Sequence, residues 1–157
     1  MTLIENFEVT EKDDPKERSK MLVDKFSWEK DDTYKIWSFD SPNLIVDKTK
    51  GVQGLGDIKD SILSAFTSAT REGALAGENM RGFRFNITDA TVHQDPAHRK
   101  GAQIIPAARR FFQGLELVAK PTLLEPMFIC EITAPNEVLG GIYQTLNKRR
   151  GQIVEQI

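Results

Sequence analysis

A chain of 157 residues is long enough for one domain with a hydrophobic core, or for one domain and part of another. Its 39% apolar and 28% charged residues are typical of a globular protein and exclude a disordered chain. The net charge of −2 excludes a molecule that attracts nucleic acid over its whole surface, so such a role would need a local basic patch.

The cysteine content and the hydropathy narrow the class of protein further. Cys130 is the only cysteine, which leaves no disulfide and no cysteine-based metal site, and its place in an apolar run predicts a thiol buried in a strand. The chain opens without a signal peptide, and no apolar run approaches the ~20 residues that span a bilayer. We therefore expect a cytoplasmic protein with no membrane partner.

A helix is predicted near the start of the chain. Asp14 takes the capping position, Pro15 the first helical position and Glu17 the acidic position of a capping box. Tyr34–Phe39 then alternates like a strand, with its tryptophan and Phe39 on one face. A turn at residues 41–43 leads into a short buried strand, the LIV run at residues 44–46.

The middle of the chain predicts a helix and a strand. Apolar residues recur at helical spacing over Asp57–Thr70, which predicts a long core helix. In Arg81–Ala90 the apolar residues Phe83, Phe85 and Ile87 alternate with polar ones, which predicts a strand with one buried face.

A second long helix is predicted after residue 100, with Pro106 in its first turn and Pro121 after its end. Its buried face is predicted from residues at helical spacing. The central stripe of this face comprises Ile104, Ala108, Phe111, Leu115 and Val118. Ile105, Phe112 and Ala119 lie beside the stripe and widen the predicted face.

The last segment predicts a strand over Glu125–Thr133, a helix capped by Asn136 and stopped by Gly151, and the start of a strand at Gln152–Ile157. The element order predicts a mixed α+β chain, with helices on one face of an open sheet. The final strand, helix and strand are half of a second small unit.

The stretch Thr88–Arg110 holds both histidines of the chain and carries the best functional signal. His93, Asp95 and His98 can form a general base with its orienter, or ligate a metal. The sequence has no nucleophile elbow, and the spacing of the histidines matches no helical metal motif. We therefore expect no catalytic residue and no metal.

The same stretch is locally basic, which favours RNA binding. From Asp95 to Arg110 there is one acidic residue and four basic ones, Arg99, Lys100, Arg109 and Arg110. The backbone N–H groups of Gly101–Gln103 lie at the predicted start of a helix, where they favour an anion. From these residues alone, phosphate binding and a merely solvated basic loop remain equally open.

Long stretches of the sequence resemble a known family. They are KIWSFDSPNLIVDKTKGVQ, DIKDSILSAFTSATREGALAGENMRGFRFNITDATVH and HR-x-x-x-QIIPAARR. They resemble domain IV of eukaryotic and archaeal translation elongation factor 2, the GTPase that drives ribosomal translocation. LLEPMFICEITAPNEVLGGIYQTLNKRRGQI resembles the start of domain V. We assign residues 1–120 to a domain IV-like module whose first strand is missing, and residues 121–157 to the first half of a domain V-like module.

The resemblance implies a fold like domain 2 of ribosomal protein S5, with a left-handed β–α–β crossover, followed by a partial ferredoxin-like β–α–β unit. It implies a fragment of a larger factor, whose other domains would be partners. GTP, magnesium and GTP hydrolysis belong to that parent factor, and no cofactor is expected in this chain.

The resemblance also gives the histidine-containing stretch a role. In the family its tip enters the decoding region of the ribosome and contacts ribosomal RNA and the tRNA–mRNA pair. By position His98 is the residue converted to diphthamide, which makes diphthamide-synthesis enzymes and ADP-ribosylating toxins expected partners. The implied tip comprises His93, Asp95, Arg99, Lys100, Gly101 and Gln103. The family commonly has small residues where this chain has Lys100, Gly101 and Ala102.

The spliceosomal paralogue of the factor shares the HR and QIIP-ARR residues, which leaves a protein- and RNA-interaction domain of that GTPase as the alternative function. The stretches AFTSATREG, ENMRG and VLGGIYQTLNKRRG favour the translation factor.

Overall fold

The computed structural model describes residues 13–40 and 42–156. The chain divides into two compact units, Met1–Thr122 and Leu123–Ile157. The first unit holds helices and strands in the order α1 (Pro15–Phe26), α2 (Lys30–Tyr34), β1 (Ile36–Asp40), β2 (Asn43–Asp47), α3 (Leu55–Arg71), β3 (Arg84–Ile87) and α4 (Gly101–Val118). A 3₁₀ turn, Pro96–Arg99, precedes α4.

The N-terminal helix has the predicted start. The Asp14 carboxylate accepts a hydrogen bond from the N–H of Lys16 at 3.0 Å, and Pro15 is the first helical residue. The strand predicted at residue 34 begins later, because Tyr34 ends the short helix α2. Acidic residues in the first turn of α2 favour this helix, and the Thr33 hydroxyl donates to the Lys30 carbonyl.

The described strands form one open mixed sheet in the order β1-β2-β3. β1 and β2 are antiparallel, and the pairing of Asp40 with Asn43 leaves a two-residue connection between them. The register shifts between Ile36 and Ser38, so Trp37 and Phe39 pack against different hydrophobic clusters and not on one face as predicted.

Strand β2 is buried on both faces of the sheet. Leu44 and Val46 pack against Met21 and Phe26 of α1, whereas Ile45 packs against the cluster that α3 and α4 cover. The prediction of helices on one face therefore holds for α3 and α4 but is wrong for α1. The apolar run of residues 44–46 fits this position, because a strand covered on both faces does not alternate.

The main core joins β2 and β3 to α3 and α4. Phe66 lies edge-on to Phe85 and Phe112 at centroid distances of 5.9 and 6.0 Å, and Phe85 lies edge-on to Phe112 at 4.9 Å. The predicted alternation in β3 is confirmed, since Phe85 is buried with Phe83 and Ile87 beside it. The strand is shorter than predicted because it pairs in parallel only with residues 44–47 of β2.

Helix α4 buries only part of the predicted face, since Ile105, Ala108 and Phe112 pack in the core but other predicted residues do not. Phe112 is only 4% exposed, whereas Phe111 is 65% exposed and Val118 is also exposed. One residue corresponds to a rotation of about 100° around a helix, so the true stripe through Ile105 and Phe112 lies one position away from part of the predicted stripe. Pro106 lies inside the helix, as its sixth residue and not in its first turn.

The second unit contains a 3₁₀ turn, Asn136–Val138, and helix α5, Leu139–Lys148. Asn136 lies inside that turn and makes no capping bond, so its predicted capping role is wrong. Arg150 takes the left-handed conformation (φ 59°), and Gly151 donates its N–H to the Leu146 carbonyl at 2.7 Å. The left-handed residue of this helix end is therefore one position before the predicted glycine.

The predicted strands of the second unit are not formed within the described residues. Residues 125–133 and 152–156 are exposed and pair with no other strand there; residue 157 lies outside the described range. A strand needs a neighbour to satisfy its backbone groups, and the sequence pattern of one segment cannot supply it. Cys130 is consequently exposed, which corrects the prediction of a buried thiol.

Candidate functional site

The histidines lie in the segment that joins β3 to α4. We call residues 88–100 the histidine loop. Because β2 and β3 are parallel, their carboxyl ends lie at the same edge of the sheet, where the N–H of Lys48 donates to the Ile87 carbonyl at 2.7 Å. The loop leaves this edge and returns through the 3₁₀ turn Pro96–Arg99 to the start of α4.

Asp95 organises the tight turn of the loop. Its carboxylate accepts the N–H of Ala97 at 2.9 Å, and its carbonyl accepts the N–H of His98 at 3.1 Å. Pro96 follows it at the first position of the turn, where a missing N–H leaves nothing unpaired. Asp95 therefore acts as a cap that shapes the loop, a role that differs from the orienter, metal-ligand and tip roles considered from the sequence.

The two histidines lie side by side at the surface. Their ring centroids are 4.4 Å apart and the ring planes are inclined by 60°. The Nδ1 atom of His93 accepts the backbone N–H of Asp95 at 3.1 Å. This nitrogen therefore does not donate to the Asp95 carboxylate, as it would if Asp95 oriented His93 as a general base. Both rings are exposed, and the part of the chain that the structure describes has no group of three or more histidine, cysteine or acidic residues able to hold a metal.

Arg99 is directed back into the protein. Its Nε donates to the His93 carbonyl at 2.6 Å, one terminal nitrogen donates to the Gln94 carbonyl at 2.8 Å, and the other pairs with Asp57 at 2.5 Å. The Arg99 side chain is only 21% exposed. Its partner Asp57 belongs to the first turn of α3. The structure therefore joins the histidine loop to α3, which the sequence analysis did not predict.

Lys100, Gly101 and Gln103 differ from one another in exposure and partners. Lys100 and Gln103 are exposed, whereas Gly101 is half-buried beside Ser61. The N–H of Gln103 donates to the Lys100 carbonyl at 2.9 Å, so this one of the predicted anion-binding amides is already used. The backbone of Lys100 is extended (φ −70°), so any residue fits here.

The basic character predicted for this segment is partly neutralised. Arg109 pairs with Glu72 at the end of α3, in the same way that Arg99 pairs with Asp57. Both acids lie about 40 positions away in sequence, so no local pattern reveals the pairing. Gly54, which leaves space for Arg99, was missed for the same reason.

Comparison with protein families gives two matches. Residues 7–120 match elongation factor G, domain IV, and residues 122–157 match the elongation factor G C-terminus. Together with the α+β fold and its open mixed sheet, these matches place the chain among the translation elongation factors.

The chain belongs to the elongation factor G family, and it contains the domain IV and C-terminal parts of such a factor. Neither matched part is the GTPase domain, so no catalytic domain is evident in the matched residues. Among the described residues, no helix is long and apolar enough to cross a membrane.

Proposed function

We propose that this chain is the ribosome-contacting part of an elongation factor 2-type factor that promotes GTP-dependent translocation. The histidine loop would contact ribosomal RNA and the tRNA–mRNA pair in the decoding region. GTP and magnesium would be bound by the remaining domains of the parent factor. The finer assignment to elongation factor 2 rests on the resemblance of the quoted stretches, since the family matches are those of elongation factor G.

The observation that carries this proposal is the exposure of His93, His98 and Lys100 on a loop that is otherwise fixed. The Asp95 cap and the three bonds of Arg99 hold the loop backbone, so little conformational entropy is lost when the loop binds. Two imidazole rings and one ammonium group supply donors and flat surfaces, which suit RNA phosphates and unstacked bases.

Ribosome binding of the chain tests the proposal. We expect His98→Ala and Lys100→Ala to weaken the binding of the chain to purified ribosomes. Lys100→Ala should also reduce the slope of log K against log salt by about 0.7 to 0.9, the effect of losing one phosphate contact. Lys20→Ala, which removes an exposed lysine from α1, is the matched control.

Unchanged affinity and salt slope in both loop variants would overturn the assignment of the loop. Co-purification with small nuclear ribonucleoprotein instead of polysomes would favour the spliceosomal alternative.

We also propose that His98 is the diphthamide position. Its ring is exposed, so the modifying enzymes can reach it, and ADP-ribosylating toxins would then act on the modified side chain. The backbone of Lys100 is extended, so the position after Arg99 accommodates a lysine side chain without backbone strain. Intact mass of the chain purified from its native source tests this, with a mass increment expected on the peptide that contains His98. An unmodified peptide would contradict it.

A further inference from the structure

Arg99 was expected to contact phosphate, but its surroundings give it a different task. We propose that Arg99 is a positioning residue, anchored by Asp57, that fixes the backbone from which the two histidines project. This inference rests on the proposed function, because it explains how the loop that contacts the ribosome is held in place. It assigns direct RNA contact to Lys100 and not to Arg99.

The hydrogen bonds of Arg99 carry the argument. A guanidinium has five N–H donors, and here each of its three nitrogen atoms already donates to an acceptor. Two of the acceptors are the consecutive carbonyls of His93 and Gln94, which lie in the loop itself. Turning Arg99 outward to a phosphate would remove the partner of both carbonyls and release the turn that precedes Asp95.

The start of α3 is shaped to receive this guanidinium. Gly54 precedes the helix with φ +74°, a conformation that glycine adopts easily. A Cβ at this position would lie 3.3 Å from the Arg99 terminal nitrogen and 3.4 Å from Val92. Gly54 therefore leaves the space in which Arg99 lies, and Asp57 meets it from the first helical turn.

Lys100 contrasts with its neighbour. It is exposed, and it makes no ion pair or hydrogen bond through its side chain within residues 13–40 and 42–156. The two adjacent cations therefore have different roles. Arg99 is directed inward to two carbonyls and a carboxylate, whereas Lys100 remains available to a partner.

The variant Asp57→Asn separates the two roles by the sign of its effect. If Arg99 positions the loop, loss of the charge on its anchor weakens ribosome binding about three- to tenfold, as expected for weakening the one charge-assisted hydrogen bond between Arg99 and Asp57, and leaves the salt slope unchanged. If Arg99 is a phosphate ligand, removal of the competing carboxylate leaves binding equal or tighter. Asp60→Asn, an exposed acid one turn later on α3, is the control for the general effect of lost negative charge.

Hydrogen exchange of the chain without ribosomes gives an independent measurement. We expect Asp57→Asn and Arg99→Lys to raise the exchange rates of the Ala97 and His98 amides about three- to tenfold, whereas Asp60→Asn leaves them unchanged. Gly54→Ala should act in the same direction, and Gly56→Ala, which meets no atom within 4 Å, should not.

Unchanged loop exchange in Asp57→Asn, or tighter ribosome binding than in Asp60→Asn, would overturn the positioning role. If the exchange rates rise but no loop variant changes ribosome binding, the positioning role stands and the proposed function fails. The two inferences are therefore distinguished by the same set of proteins.

Discussion

At the scale of single residues, the most consequential charge outside the loop is Asp32. Its side chain is 8% exposed and lies 3.0 Å from the Lys48 ammonium and 2.5 Å from the Arg84 guanidinium, which stacks over Trp28 at 3.8 Å. Burial alone would raise the pKa of Asp32, but the hydrogen bonds and charges of Lys48 and Arg84 outweigh it and lower the pKa.

The lowered pKa predicts a pH-dependent effect of Asp32→Asn. Since the folded pKa lies below the unfolded value of about 3.9, the stabilisation is present above that pH and is lost as the pH falls through the folded pKa. At pH 7 we expect the variant to lose about 2 to 3 kcal/mol of unfolding free energy, because Lys48 and Arg84 both lose their charged interaction with the buried carboxylate. Urea unfolding at a series of pH values measures this.

The difference between wild type and Asp32→Asn should shrink towards zero in acid. The exposed neighbour provides the control, because Asp31→Asn should change the unfolding free energy little at any pH. A difference that stays constant between neutral and acid pH would contradict the role of ionised Asp32.

At the scale of elements, the sequence predicts what local chemistry determines. The Asp14 cap, the long helix α3 and the buried run of β2 all follow from signals within a few residues. Contacts between distant residues were not predictable, such as Arg99 with Asp57 or Arg84 with Asp32, because nothing near either residue specifies its partner. The histidine loop was therefore proposed as the candidate site from the sequence alone, but the hydrogen bonds that hold it were not predicted.

Helix α4 shows the same limit and gives a direct test. Phe111 and Phe112 are adjacent, about 100° apart around the helix, and only Phe112 contacts the rings of α3 and β3. We expect Phe112→Ala to lower the unfolding free energy by about 3 to 5 kcal/mol, because it removes a ring that contacts two others. Phe111→Ala should cost less than about 1 kcal/mol. Denaturant unfolding of both variants measures this, and equal losses would contradict the assigned face.

At the scale of the whole molecule, the two units differ in how much they bury. The first unit contains every buried hydrophobic residue among those described, whereas the second has none and exposes several large ones. Residues 123–156, the described part of this unit, have no buried side chain and gain little from the hydrophobic effect, so their backbone should exchange readily with solvent.

Cys130 reports on the second unit, since it is the only cysteine in the sequence. We expect its thiol to react with Ellman's reagent in the native chain at a rate within about tenfold of the rate in denaturant, because the residue is exposed. Absorbance at neutral pH follows the reaction, with Cys130→Ser as the blank. A native rate several hundredfold slower would show that the thiol is protected in solution.

The three aromatic rings of the core are far apart in sequence, and the ring on α4 is the last of them. During synthesis the nascent chain exposes Phe66 first, then Phe85, and finally Phe112. The bonds from Arg99 to Asp57 become possible thirteen positions before that last ring leaves the ribosome exit tunnel. Translation arrested within this interval therefore yields a chain that already contains both Asp57 and Arg99, while the ring that completes the interior of the domain is still missing.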